Sequence, residues 1–501
     1  MGCHNGPVYE TKSDRSGGAV AALGLQKKIK RKEIPSMTGV VKVKESKKMP
    51  PREKREFYRE LFSLAVPVGL QNLLVALIGA SDALMLGRLN QDAVAAVSLA
   101  NQIAFIMNLF TGSLVAAGGT LIAQYWGKGD KETAKNLFCM INKYVFLISF
   151  IFFVLAMFVP GTLMRIYTPD EGLIQIGASY LRIVSVSYLF TGLTQCYYLI
   201  MKIEGQAFKS MVISIAALVA DVVIDFFLIY GIAGAPRLEA DGSAYSTVVV
   251  EAIALLWCVA ESRSKGNIRI DMKGLGWFSR EISRDLFKIV WPMLASSLAW
   301  GIGLSLHSLI MGHQSADATA AASITSVAQE LVTCVCKGIS TGAGIMVGKL
   351  LGQDLFEKAK AYGRKFCHIS FCVGGIHMAL LGILGPVVAK FFVLSDTARQ
   401  YLIMMLIFTA FYVFAYSVNT IIVCGIFPAG GDAKYDAISV FFASWCFALP
   451  LALLGTFVFH WPVMVVYALM NADEIVKVPW IYPRYGKYLW VKNLTREDGQ
   501  V

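Results

Sequence analysis

Charge is what this chain has least of. Asp, Glu, Lys and Arg make up only 16% of its 501 residues, against roughly 25% in soluble domains. That scarcity excludes a water-soluble globule of this size. With 56% apolar residues and a mean hydropathy of +0.58, the chain is built for lipid. Cysteines number ten, nine of them between Cys139 and Cys446 and mostly within apolar stretches rather than loops. This excludes a disulfide framework, and the Cys334/Cys336 pair lacks the His partners and spacing of a zinc site. No HExxH string or metal-type His pair is present, so a membrane-embedded enzyme is a poor reading and a scaffold protein is the bland alternative. The first 55 residues hold no apolar run of signal-peptide length, which predicts a polar tail rather than a cleaved leader.

What is present in abundance is apolar sequence in lengths that cross a bilayer, about 20 residues at 1.5 Å each. Twelve such stretches are counted: 58–84, 93–119, 137–160, 171–200, 209–231, 240–262, 284–312, 317–347, 363–391, 397–424, 434–458 and 460–480. The expected class is an all-α integral membrane protein with twelve transmembrane helices. Net charge is +12, and its placement sets topology. The N-terminal tail and alternate loops (Lys128/Lys131/Lys135, Lys202/Lys209, Arg263–Lys288, Lys349–Lys365 and Lys477–Arg496) carry the basic residues. The positive-inside rule then puts both termini in the cytoplasm of a multi-pass cell-membrane protein. The expected organisation is a basic, disordered tail over 1–56, a first lobe over 57–262, a linker over 263–283, a second lobe over 284–482 and a tail over 483–501. The basic tail reads as a topology signal rather than a nucleic-acid-binding segment.

The halves repeat. Pro67 and Pro292, Asp92 and Asp317, Gly127 and Gly352, Lys135 and Lys360, and Lys209 and Lys434 all stand 225 residues apart, an offset that chance does not sustain. Six spans per half make the repeats parallel, two six-helix bundles about an axis along the membrane normal, with a cleft between them suited to alternating access. At the same offset Asp82 meets His307, Asp221 meets Cys446 and Asp225 meets Pro450. Buried acids are therefore expected in the first half alone.

Those acids are the conspicuous feature. Asp221 and Asp225 sit in the stretch 210–231, four residues apart on one helical face. A charge at mid-membrane costs at least ~2.5 kcal/mol. Counting 1.5 Å per residue from each span's entry, Asp82, Asp221, Asp225 and Thr247 reach comparable depth and are expected to converge. Such carboxylates do not all stay ionised: either one holds a proton or a cation such as Na⁺ neutralises the group. A structural pair satisfied by hydroxyls is the bland reading of the same residues. Glu251, His307, Glu330 and Lys337 are further within-span polar groups, read as cleft-lining or structural. Glu330 and Lys337, seven apart, are near enough for a bridged contact.

The span-one pattern AVPVGLQNLL…ASDALMLGRL, the loop QYWGKGDKETAK, the span-five ending DVVIDFFLIYG, the start DGSAYSTVV of span six, the element GGDAK and the close WVKNLTRE together resemble the multidrug and toxic compound extrusion (MATE) transporters, over residues 58 to about 496. The DinF-like branch is the more similar. The resemblance implies a two-lobed antiporter that exports small organic, often cationic and amphipathic compounds against H⁺ or Na⁺. No other cofactor is implied, no metal beyond Na⁺ at Asp82, Asp221 and Asp225, and no partner beyond substrate and bilayer for a monomer. It assigns cation coupling to Asp82, Asp221, Asp225 and Thr247. Asp221 stands where that branch commonly has Asn, the acid of span seven found in NorM-like members is absent from Trp300–Ile310, and the Arg-Gly-x-Gly element reads Glu204-Gly205-Gln206. A flippase for lipid-linked saccharides or cell-wall precursors is the alternative on the same architecture. The acidic first half and the lack of a basic cleft count against it.

Overall fold

The computed structural model describes residues 50–87, 91–231, 236–264, 267–270, 272–388 and 394–496; the side chains of 78–87, 91, 272, 273, 384, 386 and 388 lie outside the description. The N-terminal tail expected over 1–56 therefore falls almost wholly outside it. Six long helices form the first half: α1 (Pro51–Gly87), α2 (Gln91–Lys128), α3 (Lys131–Phe158), α4 (Glu171–Ile203), α5 (Ala207–Tyr230) and α6 (Ala240–Ser262). The second half starts with α7 (Arg280–Gln314), α8 (Ala316–Gly352), α9 (Phe356–Val388) and α10 (Asp396–Asn419). Short polar side chains start several of these helices. Asp130, Asp170, Ser315 and Ser395 each accept a first-turn backbone N–H, a cap worth about 1 kcal/mol.

Beyond α10 the regular pattern breaks. The helix runs on as a π-helical stretch Thr420–Ile426 into the turn Phe427–Ala429, and α11 (Ala433–Val440) runs through a second π stretch, Phe441–Ala448, into α12 (Leu449–Phe457). Each π stretch leads directly into a proline, Pro428 or Pro450. A proline ring clashes with the carbonyl four residues back, and a widened turn relieves the clash.

Among the described residues eleven helices are long and apolar enough to cross a membrane, one fewer than the twelve expected. The expected last span is instead two helices, α13 (Val463–Met470) and α14 (Asp473–Gly486). Asn471 turns back to donate to the Tyr467 carbonyl at 2.9 Å, ending α13 with a side-chain hydrogen bond. Asp473 and Glu474 then open the next helix, where carboxylates suit the positive end of the dipole.

Each half has its own apolar core. One core gathers Ile103, Met107, Tyr180, Leu181 and Ile229, the other Leu402, Met405, Val413, Leu449 and Val466. Large apolar side chains including Phe158, Ile166, Leu256, Trp291 and Ile383 point outward, as a lipid-facing surface requires. The nine described cysteines are free thiols, five of them buried.

The lobes meet where α8 packs along α1 and α2. A Cβ on Gly127 would lie 2.2 Å from the Lys349 carbonyl oxygen, and one on Gly352 would lie 1.9 Å from that of Gln124. Gln124 and Lys349 are themselves one repeat apart, so the two helix ends cross with each glycine seated on its partner's backbone.

The segment 487–496 fills the same seam. Trp490 is wholly buried and stacks on Tyr485. Gln124 donates to the carbonyls of Ala429 (2.7 Å) and Lys492 (3.2 Å) and accepts from the Leu494 N–H (2.6 Å). Arg496 holds Asp285 of α7 through two N–H donors, and Lys128 donates to the Arg496 carbonyl. Residues 487–496 thus form a strap across both lobes.

Candidate functional site

Two of the expected coupling acids are brought together by one close helix approach. A Cβ on Gly242 would lie 2.9 Å from the Leu228 carbonyl carbon, so only a residue without one lets the start of α6 lie this close to α5. The two helices run antiparallel, and polar residues one turn apart on each then face in register. Ser246 Oγ donates to Asp221 Oδ1 at 2.7 Å, and Ser243 Oγ to Asp225 Oδ2 at 3.4 Å. Asp225 is 1% exposed.

Asp221, Ser243, Thr247 and Glu251 line a cavity of about 540 Å³ inside the first lobe, together with Asn101 and Asn108 of α2. An adjoining cavity of about 300 Å³ is lined by the same Asp221, Thr247 and Glu251 together with Gln71 and Tyr198. Thr247 spends its own hydroxyl proton on the Ser243 carbonyl (3.0 Å), which leaves the oxygen's lone pairs on the cavity side. The walls offer carboxylate, hydroxyl and amide oxygens and no thiol or imidazole, a donor set for a hard cation or a proton.

Asp82 lies within α1, and its side chain is outside the description, so its expected meeting with Asp221 and Asp225 stays an expectation. The other expected residues divide. Glu251 does face the cavity. Glu330 and Lys337 line neither of these cavities and form a direct ion pair at 2.5 Å rather than a bridged one, two helical turns being within reach of their long side chains. His307 is half-buried on α7, lines neither cavity, and has Asp473 as its charged neighbour. Of the candidate substrate-contact side chains, Met107 lines the larger cavity while Phe411 faces outward.

The expectation that buried acids belong to the first half alone is overturned. Asp436, Glu474 and Lys477 are each at most 9% exposed, and Lys477 donates to Glu474 Oε1 at 2.6 Å with Asp473 Oδ2 3.7 Å away. Glu474 Oε2 also accepts from Asn419 Nδ2 (2.7 Å), and Asp473 from Ser444 (2.8 Å). The string DExxK inside the last apolar stretch was the available signal. It reads as a span edge until the break between α13 and α14 carries it into the protein. A GxSxG string also occurs, Gly338–Gly342, but it lies in mid-helix, and Ser340 donates to the Thr420 carbonyl (2.9 Å). It lacks the strand-to-helix turn that exposes a nucleophile.

The MatE family model matches the chain twice, over residues 67–227 and 292–454, the two starts separated by the internal repeat. The chain is 24% identical over 435 residues to an uncharacterized transporter, YisQ, of Bacillus subtilis, covering 86% of this chain and 95% of that one. It is 22% identical to the probable multidrug resistance protein YoeA of the same organism, covering 88% and 96%. Among solved structures, a MOP superfamily transporter from Pyrococcus furiosus superposes with a TM-score of 0.77 at 18% identity (86% and 96% covered), and a MATE protein in complex with MaL6 with 0.78 at 17% (86% and 97%). With two lobes of matching fold and a family signature in each, the chain belongs to the MATE family of multi-pass membrane transporters.

Proposed function

We propose that this transporter is a cation-coupled antiporter of the cell membrane, exporting small organic, often cationic amphipathic compounds in exchange for H⁺ or Na⁺. The observation that carries this reading is the register of Ser243 and Ser246 on Asp225 and Asp221 beside a polar cavity inside the first lobe. Two carboxylates one turn apart, with Glu251 on the same cavity wall, hold more negative charge than a low-dielectric interior tolerates. A proton or Na⁺ entering the cavity relieves that charge, and its release restores it. The loaded and unloaded lobes differ electrostatically, which is what a change of lobe arrangement can respond to. The names of multidrug resistance relatives support export of small compounds, and the carboxylate, hydroxyl and amide oxygens of the cavity support either ion. Asp82 and Thr247 complete the proposed coupling group.

The test is substrate efflux from proteoliposomes under an imposed pH or Na⁺ gradient. Efflux that follows one gradient and collapses when it is dissipated is expected; efflux indifferent to both would sink the reading. The flippase alternative draws no support from the acidic first-lobe cavity.

A further inference from the structure

A cavity of about 570 Å³ lies across the lobe seam, where the first turns of α1 meet the end of α8 and the start of α9. Its lining is charged with both signs: Arg59, Lys349 and Lys358 against Glu56 and Glu60, with Tyr362 beside them. These charges do not consume one another. Lys349 Nζ stands 3.9 Å from Glu60 Oε1, beyond hydrogen-bond reach. Glu56 accepts from Arg52 at 3.3 Å, and Lys358 lies over the Tyr362 ring at 5.7 Å. Among the described residues Arg59 has no acidic partner.

Further along α1 the same helical face turns apolar. Arg59 and Ser63 line the cavity. Phe62, Val66 and Leu70 follow at steps of three or four residues and are 60%, 57% and 39% exposed, so they continue that face. From Arg59 to Leu70 is about 16 Å at 1.5 Å per residue, the depth of one leaflet of a hydrocarbon core about 30 Å thick. A charged cavity continuous with an apolar strip one leaflet deep suits an amphiphile lying along α1, whereas a water-soluble ion would leave the strip unused. The two signs of charge narrow the headgroup. A purely anionic one would meet the two glutamates and a purely cationic one the three bases, while a phosphate joined to an ammonium meets opposite charge at each end. Carboxylates accept hydrogen bonds, so an ammonium that keeps its N–H donors is held more tightly than a trimethylated one.

We infer that the seam cavity binds a phospholipid with a phosphoethanolamine headgroup: the phosphate lies among Arg59, Lys349 and Lys358, the ammonium donates to Glu60 and Glu56, and one acyl chain runs along Phe62, Val66 and Leu70. Because α1 belongs to one lobe and α8 and α9 to the other, the bound lipid joins the two lobes.

The probes are dihexanoyl phosphatidylethanolamine, phosphatidylcholine and phosphatidylglycerol, together with free phosphoethanolamine, titrated into the purified full-length protein and counted by native mass spectrometry. Phosphatidylethanolamine is expected to bind about tenfold or more tighter than the other three, the worth of charge-assisted hydrogen bonds at both ends of the headgroup. R59Q, at an exposed position, is expected to weaken it about tenfold through the phosphate. E60Q is expected to bring its affinity down toward that of phosphatidylcholine while leaving phosphatidylcholine itself nearly unchanged. Should E60Q fail to fold, E56Q, at an exposed position, is expected to narrow the same preference. F62S/V66S is expected to weaken the lipid and leave free phosphoethanolamine as it was. Equal binding of the three lipids, tighter binding of phosphatidylglycerol, or phosphatidylethanolamine binding blind to R59Q and to the glutamate variants overturns the inference. Free phosphoethanolamine binding as tightly as the lipid overturns it as well, since the ligand would then be a soluble phosphate compound.

Discussion

A single hydroxyl decides how Asp221 is held. Ser246 Oγ donates to its carboxylate at 2.7 Å, and hydrogen bonds to charged groups are worth about 1.5–3 kcal/mol. S246A is therefore expected to cut gradient-driven efflux about tenfold or more, with surface expression and thermal melting near wild type. D225N, which keeps shape and removes charge, is expected to abolish coupling in a protein that still folds. Purification with wild-type elution and a dead transport assay would show both, and aggregation would instead favour a purely structural Asp225. The acids of α5 were legible in the sequence because a carboxylate in an apolar run is conspicuous. Their serine partners were only half legible, since which hydroxyl meets which acid depends on Gly242 setting the α5–α6 contact. Asp436 and Lys477 went unread for the opposite reason. A charge near the end of an apolar stretch looks like an interface residue, and only the break at Asn471–Ala472 reveals otherwise.

Helix ends carry the next level of organisation. Gly127 and Gly352 were legible as a repeated pair, but not as the place where α2 and α8 cross, because one sequence cannot say which helices touch. With backbone atoms 2.2 Å and 1.9 Å from their would-be Cβ positions, any side chain there forces the helices apart. G127V and G352V are each expected to destabilise by about 1–3 kcal/mol or more, as overpacked sites do, seen as a lower melting temperature and reduced yield. Helix existence followed well from hydropathy. The π-helical stretches before Pro428 and Pro450 did not, since local widening adjusts hydrogen-bond register without changing composition. The broken last span escaped for a similar reason: the residues 460–480 are apolar enough in sum to hide a two-residue interruption.

At the scale of the whole molecule, duplication is the organising fact. The constant 225-residue offset and the basic-loop pattern made two parallel bundles readable before any coordinates, because repeats and hydropathy are additive along a chain. The seam between the bundles was not readable, being a matter of three-dimensional complementarity. In an alternating-access cycle the helix ends at this seam must part. A Cβ on Gly348 would lie 3.2 Å from that of Ala123, within a few tenths of an ångström of the separation disulfides take. A123C/G348C, in a background with exposed Cys372, Cys424 and Cys446 replaced, is expected to stop efflux when oxidised and to recover with reductant. Full-rate efflux by the crosslinked protein would show that the lobes never separate there.

Residues 487–496 thread through that seam, so under the proposed alternating access this strap plugs the gap that has to open. Turnover by that cycle would then include pulling a tryptophan out of its socket and undocking an arginine, a step closer to local unfolding than to rigid rocking. Steps of that kind quicken about three- to sixfold for each 10 °C of warming. The opening half-cycle is accordingly expected to be the more heat-sensitive of the two, and a chain cut after Gly486 to lose that steepness.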